Sequence, residues 1–103
     1  IIIASENATF ALPEPKVGLA ALAGGLHRLP RAIGVSRAMA MILTARTVSA
    51  AEGKDLGFVT EVVPAADLLS RARALAAAMC ELSPLSLRAS KQAVLKGLEE
   101  PSL

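Results

Sequence analysis

The residue best suited to chemistry is a glutamate held between two prolines. Glu14 lies in the run Pro13-Glu14-Pro15, which follows an extended-looking stretch at positions 10–12. Proline fixes its own φ angle and pushes the preceding residue towards extended geometry, so this run predicts a stiff, non-helical segment. The neighbours at positions 10, 12, 17 and 19 are apolar, and apolar surroundings favour the protonated form of a carboxyl group. Glu14 is therefore a candidate general acid or base; an exposed loop glutamate is the alternative.

Other residues that could do chemistry have simpler interpretations. His27 has no Cys, Asp or Glu at ligand spacing, which indicates a surface or partly packed histidine. The pair Gly24-Gly25 matches no phosphate-binding glycine pattern and predicts close packing of a helix start. Cys80 is interpreted as a small buried apolar residue, and Lys91 as a solvated cation that could otherwise meet a ligand phosphate. No metal site is predicted.

Composition narrows the classes of partner. The chain has 103 residues, of which 53% are hydrophobic and 2% aromatic. One core is the upper limit for this length, and two phenylalanines give no stacking platform for nucleic acid. No apolar run is long enough to span a bilayer. With a net charge of +2 and scattered basic residues, we expect a small anionic partner or a simply solvated surface, and neither nucleic acid nor a membrane.

Two features bear on cellular context. A single cysteine, Cys80, cannot form an internal disulfide and suits a reducing compartment, so the cytoplasm is the expected location. The sequence begins at Ile1 with no initiator methionine or leader-like segment, and we expect it to be an internal piece of a longer chain.

The spacing of apolar residues predicts an α/β chain of short strands followed by packed helices. Strands are predicted at 1–4, 9–11 and 58–63. Helices are predicted from 18 to 30 and over 36–43, 50–56, 65–82 and 84–99. The first rests on Leu19, Leu22, Leu26 and Leu29 at helical spacing. Serines at 36, 49 and 83 are the expected caps of the second, third and last helices.

The order of several motifs is more specific than any one of them. The run IIASENATFALPE at 2–14 is followed by KVGL at 16–19, GGLHRLPR at 24–31, AMAMILT at 38–44, SAAE at 49–52, LGFV at 56–59 and SPL at 83–85. This order resembles the second half of the crotonase family, the enoyl-CoA hydratases and isomerases, over nearly the whole chain. The resemblance implies a partial crotonase (ClpP/crotonase-like) α/β fold, with residues 1–103 forming the C-terminal portion of one domain that is incomplete at both ends.

The resemblance also implies a chemistry. Family members bind an acyl-CoA thioester, whose oxygen is held by two backbone N–H groups, and two glutamates orient water and move the proton. The second of these glutamates corresponds to Glu14; the first, and both oxyanion donors, belong to the part of the fold preceding Ile1. The implied enzyme needs no separate cofactor, because coenzyme A is part of the substrate, and the full-length protein is expected to be a trimer or hexamer.

One departure from the family pattern concerns specificity. Hydratases commonly carry Pro-Gly-x-Gly-Gly-Thr after the glutamate, and here the first glycine, whose backbone lies near the catalytic water, is matched by Leu22. Leu22 is therefore a candidate substrate-binding position, and the change leaves room for dehydration or isomerisation as well as hydration. By itself the 103-residue chain is expected to be inactive. The alternative function is a non-catalytic, truncated relative that serves as a helical interaction module.

Overall fold

The computed structural model describes residues 1–99, which divide into two compact units. The first unit is Ile1–Leu69, and the second begins at Ser70. The first contains all the strands of the described residues and three helices, and the second contains most of one helix and all of another. No helix of the described residues is both long enough and apolar enough to cross a membrane.

Four short strands form two separate pairs in the first unit. Strand β1 (Ile3–Ser5) pairs in parallel with β4 (Glu61–Val63), and β2 (Thr9–Phe10) pairs antiparallel with β3 (Val48–Ser49). The two predicted strands near the start are confirmed. Neither pairs with the other: each finds a partner about 40 to 60 residues further along the chain.

The strand predicted over 58–63 is shorter than expected because residues 58 and 59 form hydrogen bonds with the end of the preceding helix. The backbone N–H groups of Phe58 and Val59 both donate to the carbonyl oxygen of Gly53, at 3.1 and 3.2 Å. Residues 58 and 59 are therefore committed to the end of the preceding helix. Only Glu61–Val63 is free to pair with β1.

The first predicted helix is wrong in its limits. Helix α1 is Gly25–Ile33, and Leu19 and Leu22, expected on its apolar face, are 64% and 78% exposed. A 3-10 turn at Glu14–Val17, called the Glu14 turn below, ends at Gly18, and the irregular residues 19–24, called the Leu22 loop, precede α1. Gly24 has φ 115°, a conformation that an ordinary helix residue cannot adopt. Leucine spacing alone did not reveal these two glycine stops.

Pro30 was expected to end the first helix and instead lies inside it. A proline at this position forgoes one intrahelical hydrogen bond, from its own missing N–H group to Leu26. The helix nevertheless continues to Ile33, and the Gly34 N–H then donates to the Pro30 carbonyl at 2.9 Å. Leu26 and Leu29 pack against the buried residues Ile33, Ala38 and Ile42, and this packing favours the helix in spite of the lost bond.

Two further helices follow in the first unit. Helix α2 (Val35–Thr44) is preceded by Gly34, so Ser36 is not its cap. Helix α3 (Ala50–Leu56) begins after Ser49, whose hydroxyl oxygen accepts from the Glu52 N–H at 3.1 Å, and ends at Gly57, both as predicted. The Glu52 carboxylate does not close a reciprocal capping box, because it binds the Arg46 guanidinium at 2.8 and 3.0 Å.

The first unit has two clusters of buried side chains. The strand cluster is Ala4, Ala50 and Val59, with half-buried Phe10 and Phe58 packed edge-to-face at a centroid distance of 5.2 Å. The α1–α2 cluster is Ile33, Ala38 and Ile42, and the half-buried residues around it include Leu12, Leu26, Leu29, Leu56 and Phe58. Phe58 contacts both clusters and so links the strands to the helices.

The helices of the second unit leave most of their apolar side chains exposed. After a 3-10 turn at Ala65–Asp67, helix α4 spans Leu68–Cys80 and helix α5 spans Pro84–Gly97. Ser83 caps α5 as predicted. No residue of α4 or α5 is buried, and Val94 and Leu95 are 66% and 54% exposed. Cys80 is also exposed, which corrects its interpretation as a buried residue.

Removal of the Ser49 hydroxyl is expected to destabilise the first unit. Ser49→Ala leaves the Glu52 N–H without its cap, and loss of such a cap lowers the free energy of unfolding by about 1 kcal/mol. Chemical denaturation would measure the change. Ser36→Ala is the matched control, because Ser36 makes no capping bond and its loss is expected to change stability little. Equal effects of the two substitutions would contradict the cap assignment.

Gly18 is expected to tolerate asparagine better than alanine. Its φ of 75° lies in the left-handed region, while nothing lies within 4 Å of an added Cβ, so the cost of Gly18→Ala is conformational and about 1–2 kcal/mol. Asparagine adopts this conformation more readily, and Gly18→Asn should lose clearly less. Thermal unfolding of the two variants would compare them. An alanine variant as stable as the original chain would contradict this account of the turn.

Candidate functional site

The backbone around Glu14 is fixed from both sides. Glu14 is the first residue of the Glu14 turn, four residues beyond the end of β2. On its N-terminal side, Leu12 packs against the α1–α2 cluster, and Pro13 has φ −83° and ψ 1°. On its C-terminal side, the Leu19 N–H donates to the Glu14 carbonyl at 2.9 Å. The segment is a single helical turn, which corrects the non-helical geometry expected from the prolines.

The Glu14 carboxylate has an oxygen that no group of residues 1–99 satisfies with a hydrogen bond. The residue is half-buried, its Oε2 atom is buried, and within residues 1–99 this atom accepts no hydrogen bond. Leaving a buried acceptor unpaired costs about 1–3 kcal/mol, so such atoms are rare and often mark a functional position. The atom retains its full capacity to accept a hydrogen bond or a proton.

The surroundings of Glu14 are less apolar than the sequence suggested. Leu12 is half-buried beside the carboxylate segment, whereas Val17 and Leu19 are 72% and 64% exposed. One side of the Glu14 turn lies beside α2, and the other presents these apolar side chains to solvent. Four apolar residues were expected around the carboxylate. Phe10 and Leu12 pack against the buried clusters, whereas Val17 and Leu19 are exposed.

Leu22 lies in the exposed loop that precedes α1. Its side chain is 78% exposed, and its N–H donates to the Ala20 carbonyl at 2.8 Å. The adjacent Ala21 is buried, so the loop is anchored next to Leu22. The Glu14 segment and the Leu22 loop approach the same point, the start of α1, where Leu12 and Ala21 both lie next to Gly25.

The remaining sequence candidates do not join this site. His27 is exposed on α1, where its carbonyl oxygen accepts from the Arg31 guanidinium at 2.8 Å. Cys80 and Lys91 belong to the second unit and are exposed. Within the described part of the chain, no three His, Cys, Asp or Glu side chains come together as a metal-binding group. Among the sequence candidates in the described residues, Glu14 is the one with a buried side-chain atom that lacks a hydrogen-bond partner.

A cavity that the sequence did not reveal lies beside the Glu14 segment. It has a volume of about 430 Å³ and a mainly apolar lining that includes Phe10, Leu12, Leu29, Met41 and Phe58, with Arg28 as the charged lining residue. Glu14 itself does not line it. The alternation of Phe10 and Leu12, which face the same side of an extended segment, was the sequence signal that could have indicated it.

Comparisons with known proteins give a consistent result. A family model described as enoyl-CoA hydratase/isomerase matches residues 1–103. The probable enoyl-CoA hydratase echA8 of Mycobacterium bovis is 46% identical over 99 residues, which cover 96% of this chain and 38% of that protein. The crystal structure of an enoyl-CoA hydratase from Bacillus anthracis superposes with a TM-score of 0.93 at 39% identity, covering 95% of this chain and 38% of that one.

A second similar structure carries a different activity in its name. A carnitinyl-CoA dehydratase from Mycobacterium avium superposes with a TM-score of 0.88 at 42% identity, over 91% of this chain and 37% of that chain. In each of these matches, this chain spans well under half the length of the relative. The expected α/β class and the partial crotonase fold are confirmed by these superpositions and by the mixed strands and helices. The chain belongs to the enoyl-CoA hydratase/isomerase family, that is, the crotonase family.

Proposed function

We propose that this chain supplies the glutamate of an acyl-CoA hydratase or isomerase site, in which Glu14 exchanges a proton at the α or β carbon of a CoA thioester. The observation that carries the proposal is the buried Oε2 of Glu14, which accepts no hydrogen bond from the described residues. A proton-transfer group must have a free acceptor at a fixed position. Glu14 lies between two prolines and its carbonyl oxygen accepts a hydrogen bond from the Leu19 N–H, which supports that requirement.

The reaction divides naturally between this chain and the rest of such a site. In hydration, a base takes a proton from water as oxygen adds to the β carbon, and an acid delivers a proton to the α carbon; dehydration reverses these transfers. The negative charge that develops on the thioester oxygen needs hydrogen-bond donors. We assign a proton transfer to Glu14, and the donors and the first glutamate to parts of the family fold that this chain does not contain.

Leu22 is the residue we assign to substrate binding. Its exposed side chain lies in the loop next to the start of α1, where an isobutyl group can contact the acyl part of a thioester. A leucine here, in place of the glycine of the common hydratase pattern, also changes the room for water. Hydration, dehydration and isomerisation all remain within the proposal, and relatives named as a hydratase and as a carnitinyl-CoA dehydratase support this range.

The proposal extends to the assembly in which the site works. Residues 1–103 would form the C-terminal portion of one crotonase-fold domain, and the whole protein would be a trimer or hexamer acting in fatty acid metabolism. Coenzyme A would arrive as part of the substrate, so no separate cofactor is assigned. The free, exposed thiol of Cys80 is consistent with work in a reducing compartment such as the cytoplasm.

A chimera gives the direct test of Glu14. This chain would replace the matched 38% of the Bacillus anthracis hydratase, and hydration of crotonyl-CoA would be followed by loss of the enoyl absorbance. Glu14→Gln in the chimera removes the exchangeable proton site while keeping the side-chain shape. Loss of general acid/base catalysis is worth about 10²–10⁴-fold, so we expect kcat to fall by that factor.

The control for this experiment is Glu6→Gln, which neutralises an exposed carboxylate elsewhere in the first unit. It should leave kcat unchanged. Circular dichroism and thermal unfolding should be the same for the three chimeras. An active chimera whose kcat is unaffected by Glu14→Gln would refute the assignment.

A second candidate function is favoured by the helices of the second unit. Neither α4 nor α5 has a buried residue, and their exposed apolar side chains suit a helical interaction module without catalysis. The two functions are tested by different readouts of the 103-residue chain mixed with the intact Bacillus anthracis enzyme. Catalysis by a completed site predicts that the isolated chain neither hydrates crotonyl-CoA nor alters the enzyme's rate. A module predicts a stable complex by size-exclusion chromatography, and turnover by the isolated chain would contradict both.

A further inference from the structure

We propose that Gly25 is a positioning residue that sets the spacing between the Glu14 turn and the Leu22 loop. The inference rests on the proposed function, because Glu14 and Leu22 are the residues to which proton exchange and substrate binding are assigned there. What it adds is a third residue, which touches no substrate and acts through its two neighbours.

A side chain at Gly25 could be accommodated only if its neighbours moved. A Cβ atom built there would lie 2.9 Å from Leu12 Cδ2 and 3.1 Å from Ala21 Cβ. Carbon atoms in favourable contact are about 3.5–4.0 Å apart. The absent side chain therefore lets Leu12 and Ala21 approach the start of α1 more closely than any other residue type would permit.

Conformational freedom is not the reason for this glycine. The glycines with positive φ are Gly18, Gly24, Gly34 and Gly57, and Gly25 is not among them. Its backbone suits alanine, which favours a helix over glycine by about 1 kcal/mol. The position thus forgoes helix stability, and the structural feature gained in return is the close approach of Leu12 and Ala21.

Each of the two neighbours leads directly to a site residue. Leu12 is joined to Glu14 through Pro13 alone, and the fixed φ of proline transmits a displacement of Leu12 to the Glu14 turn. Ala21 is buried and is bonded directly to Leu22. One contact point therefore controls the placement of the carboxylate on one side and of the exposed leucine on the other.

The two sides respond differently to an added methyl group. The Leu12 side chain can rotate, since it lines the cavity of about 430 Å³ and has space to enter. Ala21 has no side-chain rotation, so its Cβ moves only if the backbone of the loop moves. We therefore expect Gly25→Ala to displace the Leu22 loop more than the Glu14 turn.

The test reads the positions of both residues without requiring catalysis. In the 103-residue chain, NMR would follow the carboxyl ¹³C resonance of Glu14 and the methyl resonances of Leu22. Gly25→Ala is expected to shift both sets, the Leu22 methyls more strongly. Adding Ala21→Gly removes the Cβ that cannot rotate away, and should return the Leu22 methyls towards their original positions, a rescue that a merely destabilised chain would not show.

Gly97→Ala is the matched control, because this helical glycine has nothing within 4 Å of an added Cβ. It should leave the Glu14 and Leu22 signals unchanged. Unchanged signals in Gly25→Ala would overturn the proposal. If Gly25→Ala unfolds the chain, Leu12→Ala and Ala21→Gly take its place, because both substitutions only remove atoms from the contact. A shift of Glu14 by the first and of Leu22 by the second supports the proposal. The absence of both shifts overturns it.

The positioning role of Gly25 and the catalytic role of Glu14 can be refuted independently. A chimera insensitive to Glu14→Gln would end the catalytic assignment and leave the NMR shifts intact as a structural effect. A chimera sensitive to Glu14→Gln, together with unchanged NMR signals in Gly25→Ala, would end only the positioning role of Gly25.

Discussion

The first unit depends on the close approach of backbone segments, which its small buried residues permit. Its buried residues include Ala4, Ala38 and Ala50, and the largest fully buried side chain is Val48. Protein interiors are packed at crystal-like density, so small side chains require that the helices and strands come close together. Gly53 shows how tight this is, because a Cβ there would lie 2.8 Å from the Phe58 ring. The position of Phe58, and with it the link between the two clusters, depends on that missing side chain.

Close packing next to the Glu14 turn also helps this short segment to hold a carboxylate oxygen that is buried without a hydrogen-bond partner among residues 1–99. An unpaired buried oxygen opposes folding, and the turn that carries it has no buried residue of its own. The segment must be held by its flanks: Leu12 in the α1–α2 cluster on one side and the Leu19 hydrogen bond on the other. Two prolines reduce the conformations open to the unfolded segment, which lowers the entropy lost on ordering it. Residues outside the turn therefore supply the stability that holds this half-buried carboxylate in place.

Sequence patterns predicted most accurately the features that depend on local chemistry. The cap of Ser49, the stop at Gly57, and the Ser83-Pro84 start were predicted because each rests on one side chain and its own backbone. The predicted limits of α1 were wrong because the leucines recur at helical spacing from 19 to 29 although the helix begins only at Gly25. Gly18 and Gly24, which bound the loop before it, do not alter that spacing. Strand partners were not predicted, since Ile3 and Glu61 are distant in sequence. Glu14 became a candidate through its prolines and motif order, whereas the contacts of Gly25 exist only in three dimensions.

The two units differ in how far their apolar side chains are buried, and this difference bears on where a reactive group can be held rigidly. The first has two buried clusters, whereas α4 and α5 are helices of 13 and 14 residues with no buried side chain. Helices of about this length are marginal in water without tertiary packing. Their exposed leucines and valines gain stabilisation of roughly 25 cal/mol per Å² only when something covers them. A positioned acid or base needs a rigid support, and among the described residues the buried clusters that could supply one are in the first unit. Glu14, Leu22 and Gly25 all lie in that unit, so the residues to which roles are proposed share it with the buried clusters.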